Sequence, residues 1–178
     1  MPTTANTGRG FTLIETVVSI VVVGILLPLV VAFFVPELSR SVDHLESVRA
    51  AELGKSYLEE ILGRRFDENS EIGNVRRCGD IASGASACSA TLGPDAGEVW
   101  GDRSTYDDAD DYNGLNDSPP TNVVGESRAG YAGFAVQVAV VNAQADLGLG
   151  ANNVKRIDVD VTAPSGTHFV FSAYKANF

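Results

Sequence analysis

An apolar block near the amino terminus constrains this chain more than any other feature. From Val17 to Pro36 there is no charged residue, and between Phe11 and Val35 the one charge is Glu15. A membrane-spanning helix needs about 20 mostly apolar residues, so the block is long enough to cross a bilayer once. The rest of the sequence is polar, acidic and rich in glycine, which is typical of a globular domain. The pattern predicts one spanning helix followed by one soluble domain.

The charges that flank the block predict its orientation. Arg9 precedes it and Glu37 follows it, and the positive-inside rule places the basic flank in the cytoplasm. We therefore expect residues 1–10 in the cytoplasm and everything after Pro36 outside it. An ordinary secretory signal has a small-residue cleavage site after its apolar stretch. No such site follows Pro36, so we expect the block to be retained.

Glu15 is a carboxylate inside an apolar helix, where a charge is costly and by default functional. Cleavage after Gly10 would create an α-amino group at Phe11, and residues i and i+4 face each other on a helix. The same amine of a neighbouring subunit would be an equivalent partner for Glu15 in a filament. The alternative is that Glu15 reaches the lipid head groups and has no further role.

The segment Arg9-Gly10-Phe11-Thr12-Leu13-Ile14-Glu15 resembles the processing signal of type IV prepilins and of type II secretion pseudopilins. The resemblance implies that a prepilin peptidase cleaves between Gly10 and Phe11 and methylates the new amine of Phe11. It implies that Arg9 and Gly10 are part of the recognised signal and that Glu15 guides docking into the filament. The implied partners are the peptidase, other pilin subunits and an inner-membrane pilus assembly platform.

Two further segments, residues 51–67 and 106–115, resemble the minor pilin D family of the mannose-sensitive haemagglutinin (MSHA) pilus. This resemblance implies a structural minor pilin that is assembled into a type IV pilus or at its tip. The alternative is a minor pseudopilin of a type II secretion system, because both machines use the same signal. A binding module at a filament tip and a membrane anchor that never assembles are weaker alternatives.

Periodicity after the apolar block predicts the fold. Apolar residues recur at helical spacing, which predicts that the helix continues to Leu62 with an amphipathic second half; they are Leu38, Val42, Leu45, Val48, Ala51, Leu58, Ile61 and Leu62. From Tyr131 onward, apolar and polar residues alternate in three stretches, which predicts antiparallel strands. We expect an α+β type IV pilin fold, in which a long helix packs on a small antiparallel sheet beside a long irregular loop region.

These patterns divide the chain into four parts: a prepilin leader over 1–10, a transmembrane or filament-core half of the helix over 11–36, an amphipathic half over 37–63, and a globular head over 64–178. Within the head, we expect the loop region at 64–130 and the strands at 131–178. Before assembly, the protein would be a single-pass inner-membrane protein with a periplasmic head. After assembly, it would be part of a filament at the cell surface.

The loop region contains two candidate sites. Cys78 and Cys88 are the two cysteines of the chain, and export of the head would favour a disulfide between them over two free thiols. Four carboxylates lie within five residues, at Asp107, Asp108, Asp110 and Asp111. Because Ca²⁺ takes six to eight oxygen ligands, this loop is a candidate calcium site. The alternative is a solvated acidic loop, in which case we expect no cofactor.

Other classes of function find little support in the sequence. The net charge of −10 argues against nucleic acid as a partner, because Lys and Arg supply affinity for phosphates. We find no phosphate-binding loop, no cluster of His and Cys with metal-ligand spacing and no nucleophile beside a base. We therefore expect a structural subunit and not an enzyme.

Overall fold

The computed structural model describes residues 10–70 and 76–177, apart from the side chains of residues 34–43. Arg9 and the rest of the predicted leader before Gly10 lie outside the described residues. The chain forms two compact units, Met1–His44 and Leu45–Phe178. The second unit therefore includes the last part of the long helix together with the predicted head.

The long helix, α1, spans Leu13–Leu62 and has 50 residues. It begins two residues later than predicted because the Thr12 side chain caps it: the amide of Glu15 donates a hydrogen bond to Thr12 Oγ1 at 3.4 Å. At the other end, the amide of Gly63 still donates to the Glu59 carbonyl at 3.1 Å, but the amide of Arg64 donates to the Ile61 carbonyl at 3.1 Å, so the helical pattern ends there. The helix is continuous through Pro28.

Four antiparallel strands form one sheet in the order β1-β2-β3-β4. Their bounds are β1 Asn116–Asp117, β2 Ala135–Asn142, β3 Val154–Thr162 and β4 His168–Ala176. The three predicted strands are confirmed, and so is the α+β pilin fold. The additional strand, β1, pairs with β2 at Gln137 and Val136. Its two residues are too few to show an alternating pattern in the sequence.

One face of the sheet packs against α1 and forms the core of the second unit. The helix contributes Ala50, Leu53, Tyr57 and Ile61, and the two central strands contribute alternating Val and Ile side chains. These are Val136, Val138, Val140, Ile157, Val159 and Val161. Period-two alternation places every one of them on the same side of the sheet.

The buried face of the helix differs from the predicted one. Leu45 and Val48 were expected to be buried, but their side chains are 51% and 44% exposed. The buried stripe instead contains Gly54 and Tyr57, residues that a search for aliphatic side chains passes over. Gly54 permits the approach of Phe171 from β4, since a Cβ there would lie 2.2 Å from the ring.

Arg103, which is almost completely buried, is one of the side chains that attach the loop region to the helix. Its guanidinium donates to the Thr121 carbonyl at 2.5 Å and lies 3.4 Å from Glu60. It also stacks 4.4 Å above the ring of Tyr57. Buried polar groups need such partners. Here the contacts of Arg103 hold a segment without regular secondary structure against the helix.

Candidate functional site

The first candidate site is the exposed start of α1. The stretch Leu13–Phe33 has a mean hydropathy of 2.8, and none of it is buried within the structure. It is long and apolar enough to cross a membrane. Exposed apolar surface of this extent is stable only in lipid or against other subunits.

Gly10 lies in open space just before the helix. A Cβ at this position would meet no atom within 4 Å. Its backbone is outside the left-handed region that favours glycine. The fold of the described residues therefore gives no reason for glycine at this position.

Thr12 caps α1 from the position just before it, and Glu15 lies in the first turn of the helix. They occupy the spacing of a capping box, in which a Thr at the N-cap is followed three residues later by Glu. Glu15 is exposed, and its position in the first turn places its carboxylate near the positive end of the helix dipole. Phe11 precedes the helix and is 81% exposed. The structure thus presents Phe11 and Glu15, the two residues of the predicted pairing, at an accessible helix terminus.

The second candidate site is the disulfide. Cys78 and Cys88 are bonded to each other in the structure, and both thiols are used. Asn177, near the carboxyl end, donates to the Cys78 carbonyl at 3.0 Å and to the Asn152 carbonyl at 2.9 Å. The amide of Cys78 donates to Ser70 Oγ at 3.3 Å. The disulfide loop is therefore anchored both to the segment after α1 and to the end of the sheet.

The third candidate site is the acidic loop, and its four carboxylates do not converge on one point. Asp110 forms a buried ion pair with Lys155 from β3. Asp108 Oδ1 accepts the amides of residues 110 and 111, and Asp111 Oδ2 accepts the amides of residues 107 and 108 at 2.9 Å. Asp107 contacts Arg65. Two of the four aspartates, Asp108 and Asp111, therefore stabilise the backbone of the loop itself.

Lys155 has a role that the sequence analysis missed. Its ammonium donates to the Phe66 carbonyl at 2.6 Å and lies 3.4 Å from Asp67 Oδ2, and the side chain is almost fully buried. Asp67 in turn accepts the amide of Ser89 at 2.9 Å. Lys155 lies in a strand of alternating residues, where an exposed lysine is the usual expectation. No spacing in the sequence relates it to Asp67, 88 residues earlier.

Burial changes the titration of the acidic loop. It raises the pKa of Asp108 to about 6 and that of Asp111 to about 7. Repulsion adds to the effect, since Asp108 faces Asp111 and Asp111 faces Glu98. Burial and repulsion thus both favour the protonated, neutral forms of these two carboxyl groups.

Comparison with known proteins identifies the amino-terminal site. A family model described as the prokaryotic N-terminal methylation motif matches residues 6–27. No curated protein and no solved structure matches the chain. The matched residues contain the capped helix start and the first half of the membrane-length stretch.

The motif, the exposed apolar helix and the antiparallel sheet together support a type IV prepilin-like protein. The motif supports a subunit of the type IV pilin or pseudopilin kind, and it implies processing by a prepilin peptidase and assembly with other pilins. The motif indicates a structural subunit and not an enzyme.

Proposed function

We propose that this protein is a minor pilin of an MSHA-like type IV pilus, assembled into the filament or at its tip. The observation that carries the proposal is the methylation motif at the accessible start of a helix whose membrane-length stretch is unburied. A subunit with such a helix is stable in the membrane before assembly and among neighbouring helices after it.

Cleavage occurs between Gly10 and Phe11, and Phe11 becomes the methylated first residue of the mature subunit. The open space around Gly10 supports this, because the fold supplies no other reason for glycine there. The requirement then comes from the peptidase, whose site has no room for a side chain at this position. Arg9 belongs to the leader that is removed.

Glu15 acts in assembly by pairing with the α-amino group of Phe11. Its exposure at the first turn of α1 leaves the carboxylate accessible to a neighbouring subunit. In the apolar interior of a filament, an unpaired carboxylate is costly, so only the register that pairs it is favourable. Glu15 thereby selects the register of the incoming helix.

The subunit lies in the inner membrane before assembly, with the leader in the cytoplasm and the head in the periplasm. The disulfide between Cys78 and Cys88 supports this topology, since disulfides persist in oxidising compartments such as the periplasm. The inner-membrane assembly platform then transfers the processed subunit into the growing filament.

Exposed apolar residues on the later part of the helix provide a further packing surface. Leu45 and Val48 are about half exposed, although they lie on a helix that is partly covered by the sheet. Burying apolar area releases about 25 cal/mol per Å². Contacts of these side chains with adjacent subunits would therefore stabilise the filament.

The runner-up is a minor pseudopilin of a type II secretion system. Residues 51–67 and 106–115, which resemble the MSHA minor pilin D family, favour the pilus.

Mass spectrometry of fibres sheared from cells, with this subunit quantified against the major pilin, distinguishes a minor pilin from a pseudopilin. A minor pilin is found in the fibres at a small fraction of the major subunit. Recovery of the processed subunit from the washed envelope alone would favour the pseudopilin.

A further inference from the structure

Three side chains from distant parts of the chain meet in the interior of the second unit, and we name Lys155, Asp67 and Asp110 the buried triad. Lys155 lies in β3, Asp67 follows α1, and Asp110 lies in the loop region. The ammonium of Lys155 contacts the carboxyl group of Asp110 and lies 3.4 Å from Asp67 Oδ2. None of the three side chains is more than 2% exposed. One amine and two carboxyl groups are therefore held together away from water.

Contacts around the buried triad fix its amine and one of its carboxylates. Lys155 Nζ donates to the Phe66 carbonyl at 2.6 Å and lies 4.5 Å from the centre of the Phe66 ring, which is itself buried. Asp67 Oδ2 accepts the amide of Ser89 at 2.9 Å. The fold thus positions these groups before any reaction, and the ring of Phe66 helps to exclude water from them.

The carboxyl group of Asp110 favours its neutral, protonated form. Burial is the largest cause, and a hydrogen bond with Asp108 and the charge of Asp108 add to it, so that the pKa of Asp110 is raised to about 8. The charge of Lys155 acts in the opposite direction but is outweighed. A protonated carboxyl group can release its hydroxyl as water when an amine attacks it. Asp110 therefore has the chemical form that amide formation requires.

Charges in this interior carry a cost that an amide would remove. Taking an ammonium and a carboxylate out of water costs free energy that their attraction repays only partly. A second cation is near, since Lys175 of β4 is paired with Lys155 across the sheet. Burial, and after it repulsion by Lys155, lowers the pKa of Lys175. An amide between Lys155 and Asp110 is neutral, so it removes both the buried ion pair and this repulsion.

Proximity decides whether an amide can form in competition with water. Well-oriented groups of one molecule react with effective molarities of about 10⁵–10⁸ M, which exceeds the concentration of water. Solvent, which would hydrolyse the product, has almost no access to Lys155 or Asp110. An amide is therefore favourable here, although it is unfavourable between a free amine and a free acid in solution.

We propose that Lys155 and Asp110 form an intramolecular isopeptide bond, with Asp67 as the catalytic proton acceptor. The ammonium of Lys155 passes a proton to Asp67, and the resulting amine attacks Cγ of Asp110. A C–N bond forms, the bond from Cγ to the hydroxyl breaks, and the hydroxyl leaves as water with a proton of the attacking nitrogen. Nothing is oxidised or reduced, and Asp67 finally releases its proton to solvent.

The bond would brace the head of the subunit covalently. It joins residues that are 45 positions apart and closes a loop that contains β1 and β2. The loop region would then be fastened to the central strand β3 by a link that pulling on the chain does not separate. This inference goes beyond the proposed function and does not depend on which machine the subunit serves.

Peptide mapping of the wild-type protein tests the bond. The full-length protein is purified in detergent, then denatured, reduced, alkylated and digested with trypsin, which does not cleave after an acylated lysine. Asp110 lies in the tryptic peptide 104–128, and Lys155 lies in 129–156 when cleavage after it is blocked. We expect most of the protein to yield one branched peptide, with the summed mass of these two less one water molecule. Fragment ions should locate the link at Lys155 and Asp110.

Two variants test the role of Asp67. Asp67→Asn keeps an oxygen that can accept the Ser89 amide but cannot take up the proton, so the linked fraction should fall at least about 10-fold. The matched control is Lys175→Arg, in the strand beside Lys155, where the lysine donates to the Leu62 carbonyl at 2.7 Å. It should leave the linked fraction unchanged. Each variant is checked for cooperative thermal unfolding.

Two results would overturn the proposal. Wild-type protein that yields peptides 104–128 and 129–155 free, with no branched peptide, would leave Lys155 and Asp110 as an ion pair and refute the bond. This measurement needs no variant, so it decides the question even where a substitution prevents folding. A folded Asp67→Asn protein with the linked fraction of the wild type would refute the catalytic role of Asp67.

Discussion

The backbone of Gly54 lies directly against the ring of Phe171, so that a Cβ on residue 54 would be 2.2 Å from Cδ2 of the ring. Gly54 is on the buried face of α1, and Phe171 projects from β4 toward it. This contact determines how closely the helix and the sheet approach each other. It also explains a glycine in a helix, where alanine is ordinarily more stable by about 1 kcal/mol.

Gly54→Ala should therefore destabilise the head, although it raises helix propensity. Overpacking a core costs about 1–3 kcal/mol, and here the obstacle is an aromatic ring held between strand and helix. We expect a Tm lower by about 3–8 °C in thermal unfolding of the full-length protein in detergent. The double variant Gly54→Ala with Phe171→Leu should recover part of the loss. Ala51→Ser, at an exposed position of the same helix, is the control and should change the Tm little. A Gly54→Ala protein as stable as the wild type would disprove the packing argument.

The stability of the head should fall as pH rises through the neutral range. Burial raises the pKa of Asp108 to about 6 and that of Asp111 to about 7, above the value near 4 of an unfolded chain. Between these pKa values the folded protein binds more protons than the unfolded chain. The two carboxyl groups therefore contribute their full stability below about pH 4, and this contribution is lost as pH rises through the folded-state pKa values.

The measurement is the Tm in chelator between pH 5 and pH 8, with Asp111→Asn in parallel. Glu98 acts on Asp111 as a like charge and so does Asp111 on Asp108, whereas hydrogen bonds from Asp110 and the charge of Lys155 lower the pKa of Asp108. The wild-type Tm should decrease with pH, and the decrease should be smaller in Asp111→Asn. A wild-type Tm that increases over this range would contradict the assignment.

Gly10→Val should block processing without disturbing the fold. A Cβ at Gly10 meets no atom within 4 Å, so any loss of mature protein reflects the peptidase. We expect the full-length precursor to accumulate in the membrane, as seen by immunoblot of envelope fractions. Gly24→Ala, also in open space, is the control and should be processed normally. Mature-length protein from Gly10→Val would refute cleavage after Gly10.

Much of the architecture could be predicted because it depends on patterns within single segments. The length of the apolar block predicted the helix of the first unit, and alternation of Val and Ile with polar residues predicted β2 and β3. The signal around Gly10 predicted the site that the methylation motif matches. Each of these features is determined by residues that are neighbours along the chain.

The features that were missed depend on contacts between distant segments. The pairing of Lys155 with Asp67 and Asp110 joins positions 88 and 45 residues apart, and nothing local in β3 indicates it. The buried face of α1 was misassigned because Gly54 is buried by the ring of Phe171 and not by its own side chain. Glu68 likewise lies close to Asp108 of the acidic loop, although it is 40 residues earlier in the sequence.

Glu15→Ala should separate processing from assembly. The substitution removes the carboxylate but leaves Gly10 and the Thr12 cap in place, so the peptidase should still cleave and methylate the variant. Incorporation into sheared fibres should fall at least about 10-fold, because no partner remains for the Phe11 amine. Glu59→Ala, an exposed carboxylate of the same helix, should be incorporated normally. Wild-type incorporation of Glu15→Ala would eliminate its role in register.

Mass spectrometry of the amino-terminal peptide tests the central claim most directly. The native protein is recovered from sheared fibres and from washed envelope, digested, and searched for peptides that begin at Phe11 or at Met1. The account predicts a peptide that starts with N-methylated Phe11, the product of cleavage after Gly10. Finding the peptide with Met1 intact in both fractions, and none that begins at Phe11, would contradict it.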